Sequence, residues 1–481
     1  MVINDKRIIF FKPKLNKAKA KSLLIGKTIG FYRRYIKKIK LIRFVVIKIY
    51  NVFLSIRNVK NKIVVIFPCK KLHKVVSLDE YLAKSKASYE LLFPAEKIKK
   101  QLVEVLPRKH SNIINEKAIR CNFPDIYKTT LSEATIFSNS GFILKDDVLI
   151  HHNLMSLDRD LTSEELHNRI YLHKDNKAQL RSLGNDDNGY ESKEAQLQSS
   201  GRDGNEYEIK EGQVQSNNKY DVKEAASFSD SCSINYAHWM TEVLPRISAF
   251  CSVAENNNIP IIVDHVHSNM LESLLSIIPE NQKVIVLPPN VSVKVSKLHV
   301  VSCCGYVPFD FRKKLRGAPE HQGEFSPALM LKIRNDILKY CCEDDGVIES
   351  HKKIYFKRNT AGKQSTNIDE VEEVLKNNGF FFVDPQNLSF REQVQICSEA
   401  EVVISSSGAA LTNMMFLPLN SKVYILMGCN KILSYSYWIN IANIFGHKVT
   451  YLLGEVPYYD RKSNQPDFKV SIKNLIKVLE T

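Results

Sequence analysis

The sequence lacks the features that would place it across a membrane or in an oxidising compartment. None of its 481 residues fall in a stretch of 18 uncharged apolar residues, so no membrane-spanning helix is predicted. Its 10 cysteines include no Cys-x-x-Cys pair and give no disulfide pattern, and its 13 histidines show no metal-ligand spacing. These absences predict free thiols in a reducing compartment, and we expect a cytoplasmic protein.

Acidic residues are almost absent from the first 62 positions. This segment holds 18 Lys and Arg against a single acidic residue, Asp5, whereas the rest of the chain holds 50 basic and 51 acidic residues. The net charge of +16 therefore arises in an N-terminal arm, and the body of the protein is close to neutral. We treat residues 1–90 as a basic N-terminal extension.

Large apolar residues alternate with basic residues over 31–57, which is the pattern of a basic amphipathic helix. Such helices bind the interface of anionic membranes, so the stretch predicts a peripheral contact with the inner face of the membrane. A solvated basic helix that packs on the body is the alternative. The stretch is not a signal peptide because Arg43 and Lys48 interrupt its apolar run. No nucleic-acid-binding motif accompanies the charge, and no nucleic-acid partner is expected.

The length and the alternation of apolar strands with helical segments predict an α/β protein of two or three domains. Continuous apolar runs, such as those at 261–263 and 402–404, are typical of buried parallel strands. We predict an N-terminal α/β domain at 91–340, with a polar insertion at 174–222, and a C-terminal α/β domain at 341–481.

The first cluster of chemically capable side chains lies on a helix predicted over 236–252. His238, Glu242 and Arg246 are four residues apart and therefore share one face of that helix. A His, a carboxylate and an Arg together form an acid/base and anion-binding strip, although an ordinary charged helix face has the same pattern. Pro245 removes a backbone hydrogen bond and is expected to kink or end the helix.

The second cluster is a turn of small residues at 405–413, which follows an apolar strand and leads into a helix predicted over 409–416. Small residues let backbone N–H groups approach a ligand, and a helix N-terminus attracts phosphate. A tight turn capped by Ser407 is the alternative. The third cluster centres on Arg358, at the carboxyl end of a strand predicted over 353–357, where it is either a diphosphate contact or a surface residue.

A metal site is not predicted. Asp158 and Asp160 imitate an Asp-x-Asp metal motif, but no apolar strand precedes them and a polar segment follows. We therefore expect neither a bound metal nor a cofactor.

Two blocks of sequence carry a family resemblance. Residues 235–246 read N-Y-A-H-W-M-T-E-V-L-P-R, and a second block from 353 to 427 includes K-I-Y-F-K-R, L-S-F-R-E-Q, S-E-A-E-V-V-I-S and G-A-A-L-T-N-M-M-F-L-P. In order and spacing these blocks resemble glycosyltransferase family 61. The resemblance covers roughly residues 135–455 and does not extend to the first 90 residues.

The resemblance implies a GT-B-like architecture, in which two facing Rossmann-like domains enclose the site. It implies an inverting transfer of a sugar from a nucleotide-sugar donor, without an obligatory metal. Glu242 or His238 would be the catalytic base. The implied donor-binding residues are Arg358, Ser406, Ser407, Gly408, Ala409, Leu411, Thr412 and Asn413, and the other implied cleft residues are Asn235, Trp239 and Arg246.

The chain departs from the family pattern at two places. The family usually has His before the Gly-Ala of the turn, where this chain has Ser407, and often a second Arg where this chain has Lys363 and Gln364. The first change removes a possible phosphate donor, so a catalytically inactive binding or scaffold protein is the alternative function. For an active enzyme, the basic extension suggests a glycan or a lipid-linked glycan as the acceptor.

Overall fold

The structure is a computed structural model, and it describes the chain in separate ranges. These are residues 5–10, 74–99, 103–114, 120–152, 170–172, 178–180, 220–289, 291–307, 323–343, 351–359, 362–430, 433, 435–457 and 466–480. The amphipathic stretch at 31–57, Asp158 and Asp160, and most of the insertion at 174–222 lie outside the described residues. Within the described ranges, no helix is long and apolar enough to cross a membrane.

The strands are numbered in chain order. They are β1 (Ile8–Phe10), β2 (Lys74–Ser77), β3 (Tyr89–Phe93), β4 (Glu96–Lys99), β5 (Glu104–Leu106), β6 (Arg120–Phe123), β7 (Ile126–Phe137), β8 (Phe142–Lys145), β9 (Val148–His151), β10 (Ile170–Leu172), β11 (Ala178–Leu180), β12 (Tyr220–Ser227), β13 (Ile261–Asp264), β14 (Val284–Leu287), β15 (Ser292–Val301), β16 (Gly305–Tyr306), β17 (Glu324–Phe325), β18 (Lys353–Phe356), β19 (Phe381–Val383), β20 (Val402–Ser406), β21 (Lys422–Gly428) and β22 (Lys448–Gly454).

The helices are also numbered in chain order, and those in the second half of the chain alternate with the strands. They are α1 (Leu78–Ser85), α2 (Ser111–Ile114), α3 (Tyr236–His238), α4 (Leu244–Cys251), α5 (Ser268–Leu275), α6 (Pro327–Cys342), α7 (Ile368–Asn377), α8 (Phe390–Glu399), α9 (Ser436–Ile444) and α10 (Ile472–Leu479). A π-helical segment covers Trp239–Val243, and 3-10 segments cover Arg108–His110, Ala254–Asn256, Pro385–Asn387 and Ala409–Phe416.

The larger sheet has the order β1-β14-β13-β12-β15-β7-β8-β9-β2, and β3 also pairs with β7. Strands β1, β14, β13, β12 and β15 run parallel, which the apolar runs predict for β13 and β14. Every residue of β13 and β14 is buried, which fits strands covered on both faces. This part of the sheet confirms the predicted α/β class.

The other part of the larger sheet differs from the predicted parallel architecture. Strands β15, β7, β8 and β9 pair antiparallel in succession. Between β8 and β9, Asp146 and Asp147 have φ angles of 48° and 64°, which are the values of a two-residue hairpin turn. Such a short connection joins only antiparallel strands, because a parallel pair needs a long crossover.

The smaller sheet is parallel throughout, in the order β19-β18-β20-β21-β22-β5. Its strands alternate with helices at the predicted places. Helix α8 has the predicted bounds, and Ser389 and Glu392 form a capping box at its start. Strand β5 comes from the first half of the chain, so the predicted division at residue 340 is crossed by one strand of this sheet.

Parts of the predicted N-terminal extension lie in the larger sheet. Strand β1 pairs with β14 at one edge, and β2 pairs with β9 at the opposite edge. Helix α1 follows β2 and packs Leu78 and Leu82 against the sheet. The residues between β1 and β2 are outside the described ranges.

One buried apolar cluster contains residues from both halves of the chain. Trp239 and Leu244 of the first half belong to it together with Phe390, Leu411 and Phe416 of the second half. Burial of each large apolar side chain stabilises the fold by roughly 1.5–3 kcal/mol. The helices after β12 and the 3-10 segment after β20 are therefore packed against each other. This packing brings together the first and the second sequence clusters.

Candidate active site

The first and third sequence clusters follow strands at which the chain order of a sheet reverses, and the second follows the neighbour of one such strand. In the larger sheet β12 lies between β13 and β15, and in the smaller sheet β18 lies between β19 and β20. Ligands of open α/β sheets bind outside the carboxyl ends of strands at such switch points. His238 and Glu242 follow β12, Arg358 follows β18, and the turn at Ser407 and Gly408 follows β20.

His238 and Glu242 form a hydrogen-bonded pair. His238 Nδ1 lies 2.5 Å from Glu242 Oε1, and the side chains are 20% and 5% exposed. Burial raises the pKa of the Glu242 carboxyl, and the neighbouring His238 opposes that rise. A bond from Nδ1 to a carboxylate selects the imidazole tautomer in which Nε2 accepts a proton. The pair is therefore suited to acid/base chemistry, with His238 as its more exposed member.

Glu242 lies in a π-helical turn just before Pro245, which was expected to kink or end the helix. The N–H of Leu244 donates to the carbonyl of Trp239, five residues earlier, and α4 then continues to Cys251. The helix is therefore not ended by Pro245, because the wider turn just before it accommodates a residue that has no N–H. The Thr241 hydroxyl donates to the carbonyl of Ala237 at 2.8 Å and satisfies that acceptor.

The other predicted cleft residues are largely buried. The Asn235 side chain accepts a hydrogen bond from the N–H of Ala237 and caps α3. Trp239 is fully buried, and its Nε1 donates to Ser273 Oγ at 2.9 Å. Arg246 is 1% exposed, and its guanidinium lies beneath Glu242 rather than on the surface. These three residues hold the helix in place.

Asp230 was not singled out in the sequence and is the partner of Arg246. Arg246 Nη2 donates to Asp230 Oδ2 at 3.3 Å, and His152 Nε2 lies 3.4 Å from the same oxygen. Burial opposes ionisation of Asp230, but His152 and Arg246 hold its pKa well below the usual range. Burial lowers the pKa of His152 to about 4. The signal in the sequence was an acidic residue shortly after a buried strand.

Asp264, at the end of β13, organises the same loop. Its carboxylate accepts from the N–H groups of Asn139 and Asp230 at 2.6 and 2.9 Å, and from Ser233 Oγ at 2.7 Å. Burial raises its pKa to about 6 despite these donors. The loop between β12 and α3 is thus fixed by carboxylates at the ends of two neighbouring strands.

Arg358 lies directly against the small-residue turn. A Cβ added to Gly408 would stand 2.2 Å from Arg358 Nη1, so only glycine leaves room for the guanidinium there. Arg358 Nε donates to the carbonyl of Gly362 at 2.9 Å. The segment Ala409–Phe416 is a 3-10 helix and not the predicted α-helix, and Ser407 makes no cap. The turn therefore has a cationic side chain packed directly against its backbone.

The side chains after this turn point into the protein. Ser406, Ser407, Leu411, Thr412 and Asn413 are all buried, and Ala409 is partly exposed. The Asn413 amide accepts from Tyr236 Oη at 2.6 Å and donates to Gln393 Oε1 at 2.8 Å. Gly408 is buried as well, so Ala409 and Ala410 are the partly exposed residues of this segment that a ligand can reach.

Two aromatic residues at the start of α9 connect the clusters. Tyr437 Oη and Thr241 Oγ1 are 3.0 Å apart, and the Tyr437 ring lies 6.4 Å from the His238 ring, centroid to centroid. Trp438 Nε1 donates to Ser407 Oγ at 2.9 Å. Neighbouring residues of one helix therefore contact the acid/base cluster and the turn after β20. No sequence signal marked these two residues beyond their place in a predicted helix.

The described residues contain no group of three His, Cys, Asp or Glu side chains that could hold a metal ion. Arg358 places a positive charge beside the turn. Arginine matches the geometry of phosphate oxygens and binds them through two donors.

Residues 236–424 match the family model described as Glycosyltransferase 61. The match includes the His238–Glu242 pair, Arg358 and the Gly408 turn, and it ends within β21. No curated protein matches the chain. The predicted resemblance to glycosyltransferase family 61 is therefore confirmed, over residues 236–424 of this chain.

Proposed function

We propose that the protein transfers a sugar from a nucleotide-sugar donor to a hydroxyl of a glycan or lipid-linked glycan, in a GT-B-like cleft between its two halves. The observation that supports this best is the pairing of the two switch points. An acid/base pair follows one and a cationic turn follows the other; Tyr437 contacts the helix of the pair, and its neighbour Trp438 contacts the turn. Glycosyl transfer needs a base on one side and charge stabilisation on the other.

Arg358 and the backbone of Gly408 would bind the donor diphosphate. As the sugar leaves, negative charge develops on the nucleoside diphosphate, and a preorganised guanidinium with N–H groups stabilises it. We propose that this replaces a metal ion. Because the side chains of Leu411, Thr412 and Asn413 are buried, the donor contacts predicted for them would be made by the backbone of the turn.

His238 would take the proton from the acceptor hydroxyl, and Glu242 would orient the imidazole and stabilise its positive charge. The greater exposure of His238 supports this division of roles, which the sequence left open. A single displacement by the activated hydroxyl inverts the configuration at the sugar carbon. The product linkage would therefore have the opposite anomeric configuration to the donor.

The test is release of nucleotide from a panel of UDP-, GDP-, CMP- and dTDP-sugars, together with the thermal shift that each donor causes. We expect one donor to be turned over and to raise the melting temperature. Arg358→Ala should lose both responses, whereas His238→Gln should lose turnover and keep the thermal shift. Lys357→Ala is the matched control, because Lys357 Nζ lies over the ring of Phe382.

Three results would redirect the proposal. Thermal shift without turnover, for every donor and acceptor tried, would favour the inactive binding protein that Ser407 suggests. Absence of both responses would refute the nucleotide-sugar function. A wild-type response that survives Arg358→Ala would remove Arg358 from the donor site.

The basic stretch at 31–57 would bring the enzyme to an anionic membrane surface, where a lipid-linked acceptor is found. We propose the cytoplasmic face of the membrane. Replacing Arg33, Arg34, Lys37 and Lys38 with Ser should abolish co-sedimentation with phosphatidylserine-containing vesicles. Binding to pure phosphatidylcholine vesicles is the control, and unchanged binding to anionic vesicles by the variant would refute the proposal.

A further inference from the structure

The loop after β12 is tied to the turn that carries Glu242 by one side chain. Arg246 Nε donates to the backbone carbonyl of Glu242 at 3.3 Å, while Arg246 Nη2 donates to Asp230 Oδ2 at 3.3 Å. Arg246 and Asp230 are each 1% exposed. A buried charge is stable only when it is paired, so each of these residues requires the other.

Asp230 is itself held rigidly. Its Oδ1 accepts from the N–H of Cys232 at 2.9 Å, and its own N–H donates to Asp264 Oδ2 at 2.9 Å. The π-helical turn at Trp239–Val243 has a less regular backbone than an α-helix. The guanidinium of Arg246 connects that turn to the ends of β12 and β13.

We propose that Asp230 and Arg246 are a positioning pair for the His238–Glu242 acid/base pair: they fix the Glu242 backbone and set the charge beneath its carboxylate. This inference rests on the proposed function for its consequence in catalysis. The pair itself contacts neither substrate in the proposal, so neither member is assigned a catalytic role.

Three ionisable groups shift the pKa of the Glu242 carboxyl: His238 and Arg246 on its own helix and Asp230 in the loop after β12. The Glu242 charge in turn raises the pKa values of Cys303 after β15 and Tyr437 on α9, which burial also raises. Burial is the main cause of the raised Glu242 pKa; Asp230 adds to the rise, and Arg246 opposes it. Removing the two members of the pair should therefore move the titration of the acid/base pair in opposite directions.

Three variants separate positioning from simple loss of structure. Asp230→Asn keeps the shape and the oxygen that accepts from Cys232 but removes the negative charge. Arg246→Met keeps most of the apolar stem and removes the positive charge. The double variant removes both charges and remains usable if a lone buried charge prevents either single variant from folding. Asp336→Asn is the control, because Asp336 pairs with Lys332 on the partly exposed face of α6.

The first readout does not depend on turnover. In protein labelled at histidine Cε1 with carbon-13, the His238 resonance is assigned by its loss in His238→Gln and followed from acidic to alkaline pH. We expect the titration midpoint of the coupled pair to fall in Asp230→Asn, to rise in Arg246→Met and to return towards wild type in the double variant. The control should leave it unchanged.

The second readout is kinetic, with whichever donor is turned over. We expect kcat to fall at least tenfold in both single variants, the KM for the donor to stay unchanged, and the acid limb of the pH profile to move as the resonance does. Unmoved midpoints, or midpoints that move in the same direction in both variants, would overturn the positioning role. Opposite shifts without turnover of any donor would count against the proposed function alone.

Discussion

The contact between Gly408 and Arg358 makes a sharp prediction about donor binding. In Gly408→Ala, the new Cβ would stand 2.2 Å from Arg358 Nη1, whereas ordinary contact begins at 3.4 Å, so the guanidinium must retreat by about 1.2 Å. The backbone need not change, because φ at Gly408 is 178°, an extended value that alanine adopts freely. Only the end of a long side chain has to move.

We therefore expect Gly408→Ala to weaken donor binding and to leave the free energy of unfolding nearly unchanged. A displacement of this size breaks a charge-assisted hydrogen bond, which contributes about 1.5–3 kcal/mol. The KM for the donor should rise roughly 10- to 100-fold, since each 1.4 kcal/mol is about a factor of ten. The free energy of unfolding, measured with urea, should change by less than about 1 kcal/mol. Nucleotide release and the donor-induced thermal shift measure the affinity.

Two further variants test whether displacement of Arg358 is the cause. In Gly305→Ala the new Cβ would stand 2.0 Å from the backbone carbonyl oxygen of Thr241, which cannot swing away, so this variant should lose about 1–3 kcal/mol of stability. Adding Gly408→Ala to Arg358→Ala should cause no further loss of affinity, since the displaced group is already gone. The reasoning is wrong if the double variant is weaker than Arg358→Ala, or if Gly408→Ala leaves the KM unchanged.

Three smaller predictions concern buried polar groups. Trp438→Phe removes the hydrogen bond to Ser407 and should lower the free energy of unfolding by about 1 kcal/mol, measured by urea titration. Thr412→Val should be neutral or stabilising by roughly 1 kcal/mol, because the Thr412 hydroxyl is buried with no hydrogen-bond partner among the described residues; a clear loss of stability would contradict this. Burial lowers the pKa of His447 to about 4, and its Nε2 contacts the carbonyl of Met414. The unfolded chain takes up this proton below about pH 6.5, so the His447 contribution to stability is present above that pH and is lost as pH falls towards 4, by about 3 kcal/mol at most. His447→Gln should flatten the pH dependence of urea unfolding in this window, and an identical dependence would refute the assignment.

Much of the fold follows from local patterns in the sequence. The all-apolar runs in β13, β14 and β20 predict buried parallel strands, and Ser389 with Glu392 marks the start of α8. The antiparallel pairing of β7 with β15 was not predicted, because these two strands are more than 150 residues apart in the chain. Their direction depends on where the intervening chain returns, and no local pattern encodes that.

The site was predictable where chemistry coincides with a motif. His238 and Glu242 meet because residues four apart share a helix face, and Arg358 meets the turn because both follow neighbouring parallel strands. Asp230 and Tyr437 were missed because their roles arise only through packing against Arg246 and Thr241. Pro245 was expected to kink or end the helix; a π-helical turn interrupts the α-helical pattern just before it, and the helix continues to Cys251.

Strand β5 has a consequence for how the molecule is made. The hydrogen bond from Thr450 Oγ1 to Glu104 Oε2, 3.1 Å long, joins residues 346 positions apart. Strand β5 is therefore synthesised long before β22, the strand with which it pairs at the edge of the smaller sheet. Contacts of such long sequence separation slow folding, and a fragment that begins at residue 341 would expose β22 as an unpaired edge. Truncations and domain exchanges in this protein should keep 103–106 together with 448–454.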